Sequence, residues 1–231
     1  MFVDIPSRTT TARRWATPAL LLVMLLVFLW AHGRSGGRQQ QLVLDWGALA
    51  GGLGDPAGWW TAWHQGVPLR LLSALFLHAD WSHLAGNLVF LLIFGLPAER
   101  SMGSWRFLLL FLAGGAFANL AAALLIGAPQ RLIIGASGAI SAVIGAYLAL
   151  FPRARLGIVL PLGLFLEFVR APASLLIGIW AALQVLFAYI GPAFGEVAWA
   201  AHLAGFGFGV AYALWVRRAI ARRLRRGYGL L

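Results

Sequence analysis

Residues 135–151 read Gly135-Ala-Ser137-Gly138-Ala-Ile-Ser141-Ala-Val-Ile-Gly145-Ala-Tyr-Leu-Ala-Leu-Phe151, an apolar run without a charge that opens on small residues. As a helix from residue 137 onward it rises about 22 Å at 1.5 Å per residue, short of a hydrocarbon core roughly 30 Å thick. Such a helix starts below the membrane surface, so its irregular lead-in is submerged. Backbone of that kind is tolerated at depth only where it is buried in protein or lines a wet cavity. A Ser at a helix start is in isolation most simply a cap; here Ser137 is expected in a cavity, at the positive end of a helix dipole.

The rest of the chain has the matching character. Its 231 residues are 61% hydrophobic and only 11% charged, with a mean hydropathy of +0.83. That composition excludes a water-soluble globular domain and a disordered chain, and 28 glycines without a strict period exclude collagen. The absence of Cys removes disulfides, thiolate metal sites and cysteine nucleophiles together. Apolar runs long enough to be membrane spans fall at 15–31, 81–96, 105–125, 137–151, 174–190 and 197–216. The first follows Arg13 and Arg14 as a signal peptide would, but Trp30-Ala31-His32 is a poor cleavage site, so it is expected to be a retained span.

Six spans put both termini on one side. Of the 18 basic residues, all Arg, 14 then share that side: Arg8, Arg13, Arg14, Arg100, Arg106, Arg153, Arg155, Arg170, Arg217, Arg218, Arg222, Arg223, Arg225 and Arg226. Arg34, Arg38, Arg70 and Arg131 lie opposite. The bias predicts cytoplasmic termini. The apolar segment 156–168 is short, holds Pro161 and is flanked by Arg155 and Arg170, so it is expected to lie in the interface or to dip in and return. The expected organisation is a cytoplasmic segment at 1–14, a membrane domain at 15–216 and an Arg-rich cytoplasmic tail at 217–231. The tail suits anionic lipid better than nucleic acid, for which no binding is expected. A long loop at 32–80 carries Gly51-Gly52, Asp55-Pro56 and Trp59, Trp60 and Trp63, which suit the headgroup layer. Its aromatics either anchor it in the interface or shape access to a site.

Polar residues inside spans are costly and therefore functional candidates. His83 and Asn87 stand four apart on one face of the second span; taken alone, interhelical gluing and a functional site explain such a pair equally well. In the sixth span Ala201-His202 precedes Gly205 and Gly209, a small-residue face that matches Ser137, Ser141 and Gly145 on the fourth. A lone His on an apolar helix is most simply a structural hydrogen bonder; packing those faces together brings His202 to Ser137, where an imidazole can serve as a general base.

These residues resemble the rhomboid family, serine proteases that cut peptide bonds within or beside transmembrane segments. Three motifs carry the likeness, His83-x-x-x-Asn87, Gly135-x-Ser137-Gly138 and Ala201-His202-x-x-Gly205-x-x-x-Gly209, over residues 66–213, and Phe151-Pro152-Arg153-Ala154-Arg155 is similar to bacterial members. The resemblance implies an all-α, six-transmembrane-helix bundle in a bacterial cytoplasmic membrane. It implies a Ser137–His202 dyad acting through an acyl-enzyme on membrane-protein substrates, with His83, Asn87 and the Ser137 backbone N–H stabilising the oxyanion. Gly135, Gly138, Ser141, Gly145, Gly205 and Gly209 are the supporting positions. No metal or cofactor is expected. Asp80, Glu99 and Glu167 sit at span ends, and Glu196, six residues before His202, is turned about 240° away on a helix. Many members have an aromatic where this chain has Ser141, which leaves two ways to orient His202: a hydrogen bond from Ser141, or packing from another span. His78 matches a position near the mouth of the site, with a structural or water-handling role, and Glu99 is expected in a charged surface turn with Gly103. The fifth span is the implied substrate entrance. A catalytically silent relative that binds or escorts transmembrane segments is the alternative. A transporter is disfavoured by the lack of internal repeats and paired intramembrane carboxylates.

Overall fold

In lipid an apolar run can satisfy its backbone only internally, so long runs become helices. The computed structural model describes residues 14–49, 64, 66–125, 132–162, 165–190 and 199–227. The 1–13 segment, Gly51-Gly52, Asp55-Pro56, Trp59, Trp60, Trp63, Arg131 and Glu196 lie outside the described residues. Among those described, eight helices follow in order: α1 (Ala16–His32), α2 (Gly36–Trp46), α3 (Val67–Ser73), α4 (Trp81–Met102), α5 (Ser104–Leu125), α6 (Ser137–Leu150), α7 (Ala173–Ile190) and α8 (Trp199–Gly227). The chain is an all-α integral membrane protein. Helices α4, α5 and the Trp199–Arg222 part of α8 are long and apolar enough to cross a membrane; α1, α6 and α7 are shorter apolar helices. Each of the six expected spans coincides with one of them. Among the described residues of the long loop are α2, α3 and a following 3₁₀ turn at Ala74–Phe76. Helix α8 runs unbroken through Gly227, so Arg217 to Arg226 continue the helix of the sixth expected span.

Helix α4 passes through a π turn at Leu91–Gly95 before Pro97. Proline can neither donate to nor pack under the carbonyl four residues back, and a wider turn absorbs that conflict. Gly103, at φ +86°, makes the bend into α5. Glu99 departs from the expected exposed turn: it is 1% exposed. Its carboxylate accepts the N–H groups of Ala16 and Thr17, both at 2.9 Å, and the Ser104 hydroxyl at 2.5 Å. It thereby caps the first turn of α1, where a negative charge meets the positive end of the helix dipole.

Helix α6 is the centre of the bundle, with every residue from Gly138 to Tyr147 buried. It packs chiefly on α8 and α5 and more lightly on α4 and α7. Its 14 residues rise about 21 Å, against about 33 Å for the 22 residues of α5. The lead-in to α6 is held by the long loop: β2 (Leu132–Ile133) pairs antiparallel with β1 (Ala48–Leu49), and Gly135 N–H donates to the Ala74 carbonyl at 2.8 Å. Its polar backbone is thus met by protein rather than lipid. Outward-facing Leu26, Val89, Leu92, Leu109, Ile179 and Leu183 are exposed, as a lipid-contacting surface requires.

The 156–168 segment is an antiparallel hairpin, β3 (Arg155–Leu162) with β4 (Phe165–Pro172). It leaves and returns at one level: Arg155 Nη2 donates to the Arg170 carbonyl at 3.0 Å, and Ala173 N–H to the Ala154 carbonyl at 2.8 Å.

Candidate active site

Close backbone approach between α6 and α8 requires positions without a side chain, and the glycines mark them. A Cβ on Gly205 would strike the Gly138 carbonyl, one on Gly145 the Phe206 carbonyl, and one on Gly209 the Ala142 carbonyl. This clamp brings two residues far apart in sequence together, and His202 Nε2 lies 2.8 Å from Ser137 Oγ. That distance is within the reach over which a base takes a hydroxyl proton.

The other ring nitrogen meets a residue that the sequence reading passed over. Gln184, on α7 and only 6% exposed, places Oε1 2.7 Å from His202 Nδ1. Ser141 does not orient His202: its hydroxyl donates to the Ser137 carbonyl one turn back, at 2.7 Å. Ring packing on His202 comes from Trp199, edge-on at 5.9 Å between centroids, itself stacked on Phe187 of α7 at 4.9 Å. The remaining signal for Gln184 was its type alone, an uncharged polar residue in an apolar span.

On the opposite wall, Gly135 adopts φ +106°, a conformation that side chains rarely take, and an added Cβ would lie 2.5 Å from His83 Nε2. The His83 imidazole therefore sits over the turn that leads into Ser137. Asp80 caps α4, accepting from the Ser82 hydroxyl at 2.6 Å and the His83 N–H at 2.8 Å. These bonds, the hydroxyl's first, hold the Asp80 carboxyl below its usual range. Asn87, one turn after His83, is 6% exposed, and its Nδ2 has no protein acceptor among the described residues. A buried amide donor without a partner is uncommon and calls for an explanation. His78 packs edge-on to His83, 5.1 Å between centroids, with Nδ1 3.3 Å from the Phe76 carbonyl. Burial, and then the neighbouring His83, push its pKa down to about 4, so it is neutral near pH 7. No group of three or more His, Cys, Asp or Glu suited to a metal occurs among the described residues.

The rhomboid domain family model matches residues 65–219, more than half of the chain. Among curated proteins, rhomboid protease GluP of Bacillus subtilis is 32% identical over 139 residues, covering 59% of this chain and 25% of GluP. Rhomboid-like protein 11, chloroplastic, of Arabidopsis thaliana is 41% identical over 80 residues, 34% of this chain and 26% of the relative. Inactive rhomboid protein 1 of Drosophila melanogaster is 36% identical over 81 residues, 35% of this chain and 6% of the relative. The matched stretch thus spans about a quarter of the length of each of the first two.

Proposed function

The chain belongs to the rhomboid family, and from that premise we propose that it is a serine endopeptidase that hydrolyses peptide bonds in or next to transmembrane segments of membrane-protein substrates. The observation that carries the reading is the 2.8 Å contact between Ser137 Oγ and His202 Nε2. Ser137 Oγ attacks the scissile carbonyl carbon while Nε2 takes its proton. The carbonyl oxygen becomes an oxyanion, met by donors from Asn87, His83 and the Ser137 backbone N–H. Collapse of the tetrahedral intermediate breaks the C–N bond, and His202 returns the proton to the leaving amine. Water, deprotonated by the same nitrogen, then hydrolyses the acyl ester and restores Ser137. In a pocket of low dielectric, loss of one oxyanion donor typically costs about 2.7–4 kcal/mol of transition-state stabilisation; the unpaired Asn87 Nδ2 supports that role.

Both termini are assigned to the cytoplasmic side on the Arg distribution, and the membrane to a bacterial inner membrane on the family resemblance. Anionic lipid is assigned to the basic end of α8, where a cavity of about 790 Å³ is lined by Arg106, Trp215, Arg217, Arg218 and Arg222 among others. Substrate is assigned an entrance beside α7.

The test is cleavage of a transmembrane model substrate by the reconstituted protein. Ser137→Ala and His202→Ala each abolish it without unfolding the protein, and a chelator leaves it unchanged; cleavage that survives both substitutions overturns the reading. The likeness to an inactive rhomboid favours a second reading, a silent binder of transmembrane segments. Labelling of Ser137 by a fluorophosphonate separates the two, because only an activated hydroxyl reacts readily.

A further inference from the structure

An imidazole acts as a base toward Ser137 only if Nε2 carries the lone pair, so the proton must sit on Nδ1. That choice is set by whatever faces Nδ1. Here it is the Oε1 of Gln184, at 2.7 Å, an oxygen that can only accept. Turned about, the same amide would donate to Nδ1, force the proton onto Nε2 and leave Ser137 facing a donor. We propose that Gln184 is the positioning residue of the site: its carbonyl oxygen holds His202 in the tautomer and orientation that make it a base. The proposal rests on the protease reading above.

The placement of Gln184 gives this a second consequence. Ser137 and His202 belong to α6 and α8, whose backbones are locked at Gly138, Gly145, Gly205 and Gly209. Gln184 belongs to α7, which is held differently. Among its residues with described burial only Ala173, Ile177 and Gln184 are buried, at spacings of four and seven that make one stripe, while Leu175, Val185 and Tyr189 are exposed. Gln184 is thus the only polar side chain in that buried stripe, and its oxygen faces the base. The attacking pair is fixed by the glycine clamp, whereas the proton position on His202 depends on α7 being seated. A shift of α7 past hydrogen-bond reach frees the ring to rotate and change tautomer while the bundle stays intact.

Steady-state cleavage, fluorophosphonate labelling and thermal unfolding of the full chain test this in Gln184→Leu, which keeps the volume and removes the acceptor, and in Gln184→Glu, which keeps an acceptor oxygen in either protonation state. Gln184→Leu is expected to lower kcat at least about tenfold, to leave KM within about twofold, and to slow labelling by the same factor. Its Tm falls only slightly, since the His202 Nδ1–H left without its acceptor is offset in part by the removal of a buried amide. Gln184→Glu recovers most of the lost rate. Ring-¹⁵N histidine spectra report the Nδ1-protonated form of His202 in the wild type and a mixture in Gln184→Leu. If Gln184→Leu fails to fold, Gln184→Met, unbranched and of similar volume, takes its place. Wild-type rates in the apolar variant, or a Gln184→Glu protein as slow as Gln184→Leu, overturn the proposal while leaving the protease reading intact. A wild-type chain that neither cleaves nor labels overturns the protease reading, and the role of Gln184 with it.

Discussion

Two glycines on one turn of α8 should respond oppositely to the same substitution. A Cβ at Gly205 would meet the Gly138 carbonyl oxygen far inside the 3.0 Å that real Cβ contacts essentially never breach. The obstacle is backbone, so no rotamer change relieves it. Restoring a C···O contact of about 3.3 Å parts α6 and α8 by roughly 1 Å at that level. Overpacking of this kind costs about 1–3 kcal/mol, offset by up to about 1 kcal/mol from the better helix propensity of Ala. Gly138 adjoins Ser137 and Gly205 lies three residues after His202, so the 2.8 Å contact opens by a similar amount. At about 3.8 Å it leaves the roughly 2.6–3.2 Å reach of a general base, and a 1 Å misplacement costs about 10²-fold in rate. Gly207, two residues on, has nothing within 4 Å of an added Cβ. Gly207→Ala is therefore neutral or slightly stabilising. Thermal unfolding and the initial rate of substrate cleavage, measured on both variants in the same detergent, make the comparison. A Gly205→Ala protein as fast and as stable as Gly207→Ala refutes the reasoning.

Removing the Glu99 carboxylate by Glu99→Ala leaves the Ala16 and Thr17 N–H groups buried without their acceptor. It should cost about 2–3 kcal/mol of stability in thermal or denaturant unfolding, and Glu99→Gln, which can satisfy only one of the two with its oxygen, falls between. Asp80→Ala removes the N-cap of α4, frees the His83 amide to faster hydrogen exchange and slows cleavage, while Asp80→Asn, which keeps an acceptor oxygen but loses the charge, falls between. Because the folded-state pKa of Asp80 is lowered, its charge-assisted cap persists at neutral pH and is lost only as pH falls through a value below the usual carboxylate range. Hydrogen exchange at the start of α4, followed from pH 7 downward, should show no rise until the pH has passed that range.

The apolar helices were legible in the sequence because a bilayer leaves an apolar run little choice but helix, and hydropathy alone located six of them, three long enough to cross a membrane. The meeting of Ser137 with His202 was legible for a different reason: small residues at spacings of four mark a face where backbones touch, and Ser137 and His202 stand near the starts of the two faces. Gln184 was not legible. A single amide in an apolar helix has no periodicity to mark it, and its partner belongs to another span. Ser141 shows the converse limit, since its spacing from Ser137 fits both a contact with His202 and the back-bond it makes to its own helix. The 155–172 hairpin was hidden because its two arms read as one continuous apolar run without the alternation that marks a half-buried strand. Glu99 was placed at the right bend, but its burial depends on the start of α1, more than 80 residues earlier.

For Gln184 as the proposed partner of the base, the choice of an amide follows from the cost of charge in this setting. A carboxylate near the centre of a span is unfavourable by about 2.5–3.5 kcal/mol on insertion scales, and a neutral amide is far cheaper. What a base needs from its partner is first a fixed proton and a fixed ring, both of which an acceptor oxygen supplies without a charge. What it forgoes is the stabilisation of the imidazolium that a carboxylate gives. In the proposed protease, stabilisation of the transition state then falls more heavily on the oxyanion side, assigned above to His83 and Asn87 of α4 and the Ser137 backbone N–H. By the same reasoning, truncating Asn87 should cost more rate than truncating Gln184: the first removes a donor that acts only as charge develops, the second a bond that exists before reaction begins. Side-by-side kcat values for Asn87→Ala and Gln184→Leu decide it, and a larger loss in the Gln184 variant would put the weight of catalysis on the base instead.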